Sequence, residues 1–324
     1  MQRRYFQLTM LASITSLLAA CGSTPTTPPL AKMAIGVQAA KPDETRAAWL
    51  PLVQDLGKKN GIATELVTAS QAEIVAALRD GKIDVAWLSS STAIDAVVDA
   101  NAQAFALYYN VNGTNGYKGV IITRADSGIT TLDQAFTQGK YSYAGGAKTS
   151  TSGYVLPQAL LFSRRNTTPE QLFKSVTIGG HFPNLDALWG KKVDVAVNNN
   201  TDLAVFQERT PEAKAGIRVL WESPLVPNDV LMTRASTPAA HKAKMQAIFL
   251  DYAKTDAAEK ELFRKASGIR NFIAADNKLL DPVTEFKFGA ERAAIEGNGA
   301  LSAAEKAAQL ARVDQRVQAF KKSL

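Results

Sequence analysis

The chain has 324 residues, 46% of them hydrophobic and 21% charged, with a formal net charge of +7. That length and balance suit two globular domains of ordinary size, and the mild positive charge favours anionic ligands. No basic–aromatic cluster of the kind nucleic acids require is present, and one cysteine with two histidines excludes an internal disulfide and a Cys/His zinc site.

The first residues stand apart from the rest. MQRR carries two positive charges and YFQLTMLASITSLLAA is apolar or small, so residues 1–20 read as a secretory signal with its charged, apolar and cleavage regions. Loss of Arg3 and Arg4 with this leader lowers the formal charge to +5. Cys21 follows Leu18-Ala19-Ala20 directly, a pattern that resembles a bacterial lipobox, and its thiol is expected to carry lipid. Residues 21–31 then read as a flexible tether rich in Ser, Thr and Pro. No later apolar stretch reaches the roughly 18–20 residues that span a bilayer. The expectation is a globular body held on a membrane surface.

From residue 33 strand-like and helix-like segments alternate. MAIGV (33–37) is a strand; residues 43–60 then show helical spacing through Ala47, Leu50, Val53 and Leu56, closing at Asn60-Gly61. IATELV is a second strand, and Ser70 is the expected N-cap of QAEIVAALRD. IDVAWL follows as a strand and SSSTAIDAVVDA as a hydroxyl-capped helix. The second half repeats the theme with KYSYA, GYVLPQALLFSRR, SVTIG, NLDALWG and VDVAVN. Such alternation implies parallel strands joined by crossover helices. GKIDVAW (81–87) and KKVDVAV (191–197) share Lys-x-Asp-Val-Ala, an internal echo that suggests two α/β lobes of like construction.

GYKGVIITR (116–124) is suited to a buried strand crossing between lobes, with a return near PNDVLMTR (227–234). A first lobe of residues 32–122 plus 235–324 and a second of 123–234 follow, with the hinge as the floor of an interlobe cleft, where small ligands usually bind. Residues 300–321 read as an alanine- and charge-rich helix on the outside of a lobe.

Enzyme signatures are sparse. There is no Ser-x-x-Lys and no Gly-x-Ser-x-Gly. Ser152 with His181 and Asp194 or Asp229 supplies the residue types of a triad. Three adjacent hydroxyls, however, point to hydrogen-bond donation rather than to one activated nucleophile. They lie in KTSTSGYVLP (148–157), between a glycine pair and an apolar run. The first N–H groups of the following helix lack internal partners and the helix dipole adds positive charge there, so hydroxyls at 150–152 would converge with them on an oxyanion. Spacing alone equally allows a capped helix with two hydroxyls facing water.

STSGYVLP, GGHFPN, KKVDVAVNNNTDL and LWESPLVPND together closely resemble the phosphonate-binding components of bacterial ABC importers, within the phosphate, phosphite and phosphonate solute-binding proteins. The resemblance covers nearly the whole chain after the leader. It implies a type II periplasmic-binding-protein-like fold with two hinge-crossing strands, a small oxyanion ligand, an ABC permease as partner, no cofactor and no catalysis. Ser150, Thr151 and Ser152 would hold the phosphonate oxygens, His181 would donate to the same group, and Asp229 would accept from a protonated oxygen or an amine. This sequence departs from the aminophosphonate binders at three places. Gln71 and Leu88 stand where tyrosines occur, the latter followed by Ser89, Ser90 and Ser91, which are candidates to replace the missing donors. Thr201, beside Asp202, stands where an acidic residue takes the amine. A ligand without an amine is therefore expected, bound by a monomer; a lipoprotein that senses the anion through the same two lobes is the other function class considered.

Overall fold

The structure, a computed structural model, describes residues 27–39 and 41–324. The leader, Cys21 and most of the tether lie outside the described residues. In chain order the strands are β1 (Lys32–Gln38), β2 (Ala63–Ala69), β3 (Val85–Leu88), β4 (Ala102–Asn110), β5 (Gly116–Tyr117), β6 (Gly119–Arg124) and β7 (Ser142–Gly145). They continue with β8 (Ser175–Ile178), β9 (Val195–Asn199), β10 (Ile217–Glu222), β11 (Val226–Pro227), β12 (Val230–Arg234) and β13 (Ile269–Ala274).

The first sheet has the order β13-β4-β12-β3-β1-β2, the second β10-β6-β9-β7-β8, and β5 pairs with β11 as a short antiparallel ribbon. Within each sheet three consecutive strands, β1 to β3 and β7 to β9, are parallel, and an antiparallel strand is inserted beside the last of them. That inserted strand is the one arriving from the other sheet, β12 in the first and β6 in the second. Sheet membership thus changes between residues 110 and 119 and again between 222 and 230, on either side of the ribbon. The strand at 119–124 lies wholly in the second sheet and that at 230–234 in the first.

The Lys-x-Asp-Val-Ala echo has a physical basis in this repeated plan. Asp84 Oδ2 accepts from the Ala34 N–H at 2.9 Å, tying β3 to β1, and Asp194 Oδ2 accepts from the Ser142 N–H at 2.9 Å, tying β9 to β7. Each inserted strand ends in Thr-Arg. Arg234 donates to the carbonyls of Leu78 and Ile83, and Arg124 to those of Leu188 and Val193, closing the loop before the aspartate in the same way in both lobes.

Local chemistry explains the helices that carry these sheets. Pro42 and Asp43-Glu44 open the helix Pro42–Asn60, and Gly61 ends it with φ 64°, a left-handed conformation that glycine adopts without strain. Ser70 is the N-cap of Gln71–Arg79, as expected, and forms a reciprocal capping box with Glu73. One face of the first sheet is covered by Trp49, Leu52, Phe249 and Phe263; the other by Ile74, Ile94, Phe288 and Phe320. Leu185, Leu188 and Phe206 cover one face of the second sheet, and stacked Tyr143 and Phe173 with Phe136 and Phe162 the other.

Two segments differ from the sequence reading, both near the cleft. GYVLPQALLFSRR is helical but wound in wide i→i+5 turns at Thr151–Val155 and Gln158–Phe162. Pro157 has no N–H for the Gly153 carbonyl, which instead accepts from Gly146 at 2.9 Å, so the regular ladder is broken there. The helix read as NLDALWG begins earlier, with His181 as the first residue of the helix His181–Trp189. A proline in the first turn removes only an N–H that has no partner within the helix, which lets the helix begin ahead of Pro183.

Candidate oxyanion site

Two helical N-termini meet between the sheets. From the first sheet, β3 delivers Ser89 to the N-cap position of the helix Ser90–Ala100. From the second, β7 and the Gly145-Gly146 loop deliver Ser150 to the start of the 151–165 segment. The Ser91 N–H donates to Thr151 Oγ1 at 2.9 Å, and the Thr92 hydroxyl donates to the Thr149 carbonyl at 3.2 Å, so the two starts touch directly. Close approach at the glycine loop is obligatory, because a Cβ on Gly146 would lie 2.6 Å from the Gly153 Cα.

The three hydroxyls of the second lobe have different partners. Ser150 Oγ accepts from the Gly153 N–H at 3.0 Å and is the cap of its own segment. Thr151 reaches across to Ser91. Ser152 Oγ lies 3.1 Å from His181 Nε2. Thr151 and Ser152 are both buried. Burial holds the His181 imidazole below its usual pKa, with the Asp202 charge opposing, so a neutral ring faces Ser152 near pH 7. The Asn198 side chain donates to the His181 carbonyl at 2.8 Å and fixes the start of that helix.

On the first lobe the serines differ again. Ser89 makes no side-chain cap; its hydroxyl donates to Thr92 and its N–H to Gln38 Oε1. Ser90 Oγ donates to the Pro227 carbonyl of the ribbon at 3.0 Å. Ser91 Oγ is fully buried and has no partner among the described residues. Gln71 lies at the margin, its Oε1 accepting from Thr92. Leu88 points into the apolar core.

Asp229 follows the ribbon. Its Oδ2 accepts from Trp87 Nε1 at 2.8 Å and from Gln38 Nε2 at 3.0 Å. Burial nevertheless pushes its carboxyl up to about 6; the Asp202 charge adds to the rise, and the Trp87 and Gln38 bonds oppose it. Asp202 caps back onto Asn199, its Oδ2 accepting from Asn199 Nδ2 at 2.9 Å, and lies close enough to influence both Asp229 and His181. Thr201, its neighbour, is half-buried at the start of the same helix. Tyr117, Trp87 and Gln38 escaped the sequence reading. The Tyr117 phenol faces Thr151, Ser152 and Ser90, and burial raises its pKa, so it remains a neutral hydroxyl. Tyr117 lies in the NGYKGV stretch, and its place on the crossing ribbon is the signal that could have marked it.

The arrangement gathers hydroxyls, backbone N–H groups at two helix starts and a neutral imidazole around one point, with Asp229 and Asp202 behind. This donor-rich set suits a tetrahedral oxyanion. The family model described as "ABC transporter, phosphonate, periplasmic substrate-binding protein" matches residues 36–280. The chain belongs to this family. It is 31% identical over 263 residues to the phosphonates-binding periplasmic protein of Escherichia coli K12, covering 81% of this chain and 77% of that one. Among solved structures it is similar to a binding protein component of an ABC phosphonate transporter from Pseudomonas aeruginosa, with TM-score 0.78, 27% identity, and coverage of 90% and 97%. It also shares the fold of PhnD1 from Prochlorococcus marinus in complex with methylphosphonate, at TM-score 0.68 and 13% identity, covering 79% of this chain and 96% of that one.

The expected type II binding-protein fold is thus present, and the family is a transport component that receives substrate in the periplasm and serves an ABC permease. No helix among the described residues is long and apolar enough to cross a membrane.

Proposed function

We propose that this protein captures a small phosphorus oxyanion (a phosphonate, phosphite or phosphate) between the starts of the 151–165 segment and the Ser90–Ala100 helix, and delivers it to its permease. The observation that carries the reading is the Ser91 N–H to Thr151 Oγ1 bond, which joins one lobe to the other at the point where the donors converge. An anion inserted there takes donors from both lobes. Moving such a two-state equilibrium from 1:99 to 99:1 needs roughly 5.5 kcal/mol of differential affinity. Several charge-assisted hydrogen bonds of roughly 1.5–3 kcal/mol each supply that.

Ser150, Thr151, Ser152 and His181 are the proposed head-group residues, with Ser89, Ser90, Ser91 and Tyr117 opposite and Gln71 at the rim. Asp229, with a carboxyl that titrates near neutrality, would accept from a protonated ligand oxygen or, when itself protonated, donate to an oxyanion. Asp202 rather than Thr201 brings a second negative charge to this region, which gives an ammonium-bearing phosphonate a counter-charge that the residue at 201 does not. Binding rather than catalysis is supported by the surroundings of Ser152 and His181. Asp194 is committed to Ser142 and Asp229 to Trp87 and Gln38, so neither orients the imidazole.

The protein is further proposed to act as a monomer anchored through lipid on Cys21, with residues 1–20 removed; a Cys21→Ser variant that stays in the membrane fraction would exclude that anchor. Calorimetric titration with methylphosphonate, phosphite, phosphate, 2-aminoethylphosphonate and sulfate tests the ligand class. Binding of at least one phosphorus oxyanion well above sulfate is expected. Binding of none, with a neutral sugar or amino acid bound instead, would overturn the reading.

A further inference from the structure

The helix Asp281–Glu296 sits behind both helical starts and is not itself part of the site. It packs on the Ser90–Ala100 helix and also on the wide-turn segment that begins at Thr151. The two contacts differ in kind. Toward the first lobe, Lys287, with only 6% of its side chain exposed, places Nζ 2.9 Å from Asp95 Oδ1 and 3.1 Å from Glu291 Oε1. Arg316, from the helix Ala303–Lys321, closes the network by pairing with Asp95, Asp99 and Glu291. Asp95 and Asp99 are one turn apart on the rear of the very helix whose N-terminus carries Ser90 and Ser91. Toward the second lobe the contact is apolar: Leu156 is fully buried in one cluster with Phe288 and Val283, and Leu160 and Phe286 pack against it.

We infer that the helix Asp281–Glu296 is a positioning element for anion capture, in which Lys287 fixes the Ser90–Ala100 helix through Asp95 while Phe288 seats the 151–165 segment through Leu156. One rigid helix thereby sets the distance between the two donor clusters in the arrangement where they touch. The physical warrant is rigidity. A buried lysine held by two carboxylates cannot drift without leaving charge uncompensated, and the apolar cluster cannot slide without opening a void. The ribbon β5/β11 joins the lobes through backbone, and this helix adds a side-chain tie that is remote from the ligand. Lys287, Asp95 and Leu160 are accordingly positioning residues that never touch the anion.

The inference rests on the oxyanion reading for its affinity readout, and a second readout needs no ligand. Lys287→Met and Leu160→Ser are each expected to weaken methylphosphonate binding about tenfold, within the range of remote coupling effects. Amide exchange at residues 90–93 and 150–153 of the ligand-free protein is expected to rise in both variants, and Lys287→Arg to restore both properties. If Lys287→Met folds poorly, Asp95→Asn/Lys287→Met removes both charges together, a change that buried pairs often tolerate in stability. Folded variants with wild-type exchange at those two segments would overturn the positioning role. A wild-type protein that binds no phosphorus oxyanion would instead overturn the ligand reading, while the exchange data still decide the role of the helix.

Discussion

The two helical starts that meet at the cleft are built from the same residue types and are finished differently. In the second lobe every hydroxyl is engaged: Ser150 caps Gly153, Thr151 accepts from Ser91, and Ser152 pairs with His181. In the first lobe Ser89 provides no cap and Ser91 keeps a buried hydroxyl with no partner among the described residues. The second lobe is therefore the better-held half, with Ser150 and Ser152 fixed by partners of its own and Thr151 by the Ser91 N–H opposite. The first is the unsatisfied half, and an unpaired buried hydroxyl costs about 1–3 kcal/mol until something accepts from it. On the proposed reading, a ligand would enter between a ready cradle and a lid that is short of partners, which favours closure over simple docking on one lobe.

Perturbing the cradle should have the largest effect. A Thr151→Ala/Ser152→Ala double variant is expected to lose roughly a thousandfold in methylphosphonate affinity, since two charge-assisted bonds at about 2 kcal/mol each are removed. Full affinity in that variant, read by calorimetry, would show that the better-held half is not where the anion sits.

The groups that titrate behind the cradle come next. Asp229 has its carboxyl raised to about 6 and His181 its imidazole lowered, so at pH 7.5 the first is mainly charged and the second neutral. An adjacent anion raises both values, so binding takes up protons and affinity should rise by about tenfold between pH 7.5 and 5.5. An Asp229→Asn variant should flatten this profile. The same raised carboxyl has a consequence for folding. Because the folded value lies above the unfolded one, its stabilising contribution is full below the unfolded value and is lost as pH rises through about 6. Thermal midpoints of the ligand-free wild type and Asp229→Asn should therefore diverge between pH 5 and 7.5, with the variant the less sensitive to pH.

The smallest effect is expected on the lid. Ser91→Ala removes a hydroxyl without a partner, so stability should be unchanged or slightly raised while affinity falls only about five- to tenfold. A loss as large as that of the cradle variant would erase the difference between the two halves.

What the sequence made legible follows from how local each signal is. The Ser70 cap, the helix end at Gly61 and the Lys-x-Asp-Val-Ala echo are each decided within a few residues, and each appears as read, the echo now explained by Asp84 and Asp194 doing the same task. The oversupply of hydroxyls in KTSTSG was visible for the same reason. The wide turns at 151–162 were not, because they depend on Gly146 meeting the Gly153 carbonyl across a loop. Trp87 was read as a strand residue and Gln38 lies just past the strand read at 33–37; that both turn to Asp229 is a contact spanning 142 and 191 positions, which no local pattern encodes. Nothing in the sequence around Lys287 singles it out. Its burial depends on three helices meeting, and only the assembled fold shows it.

The most direct test of the interlobe capture site is a crystal structure of the protein with methylphosphonate. The phosphonate oxygens are expected within hydrogen-bonding distance of Thr151 Oγ1, Ser152 Oγ and His181 on one side and of the Ser91 N–H on the other, with the direct Ser91–Thr151 bond replaced by the anion. A phosphonate bound to one lobe alone, or found away from both helical starts, would contradict it.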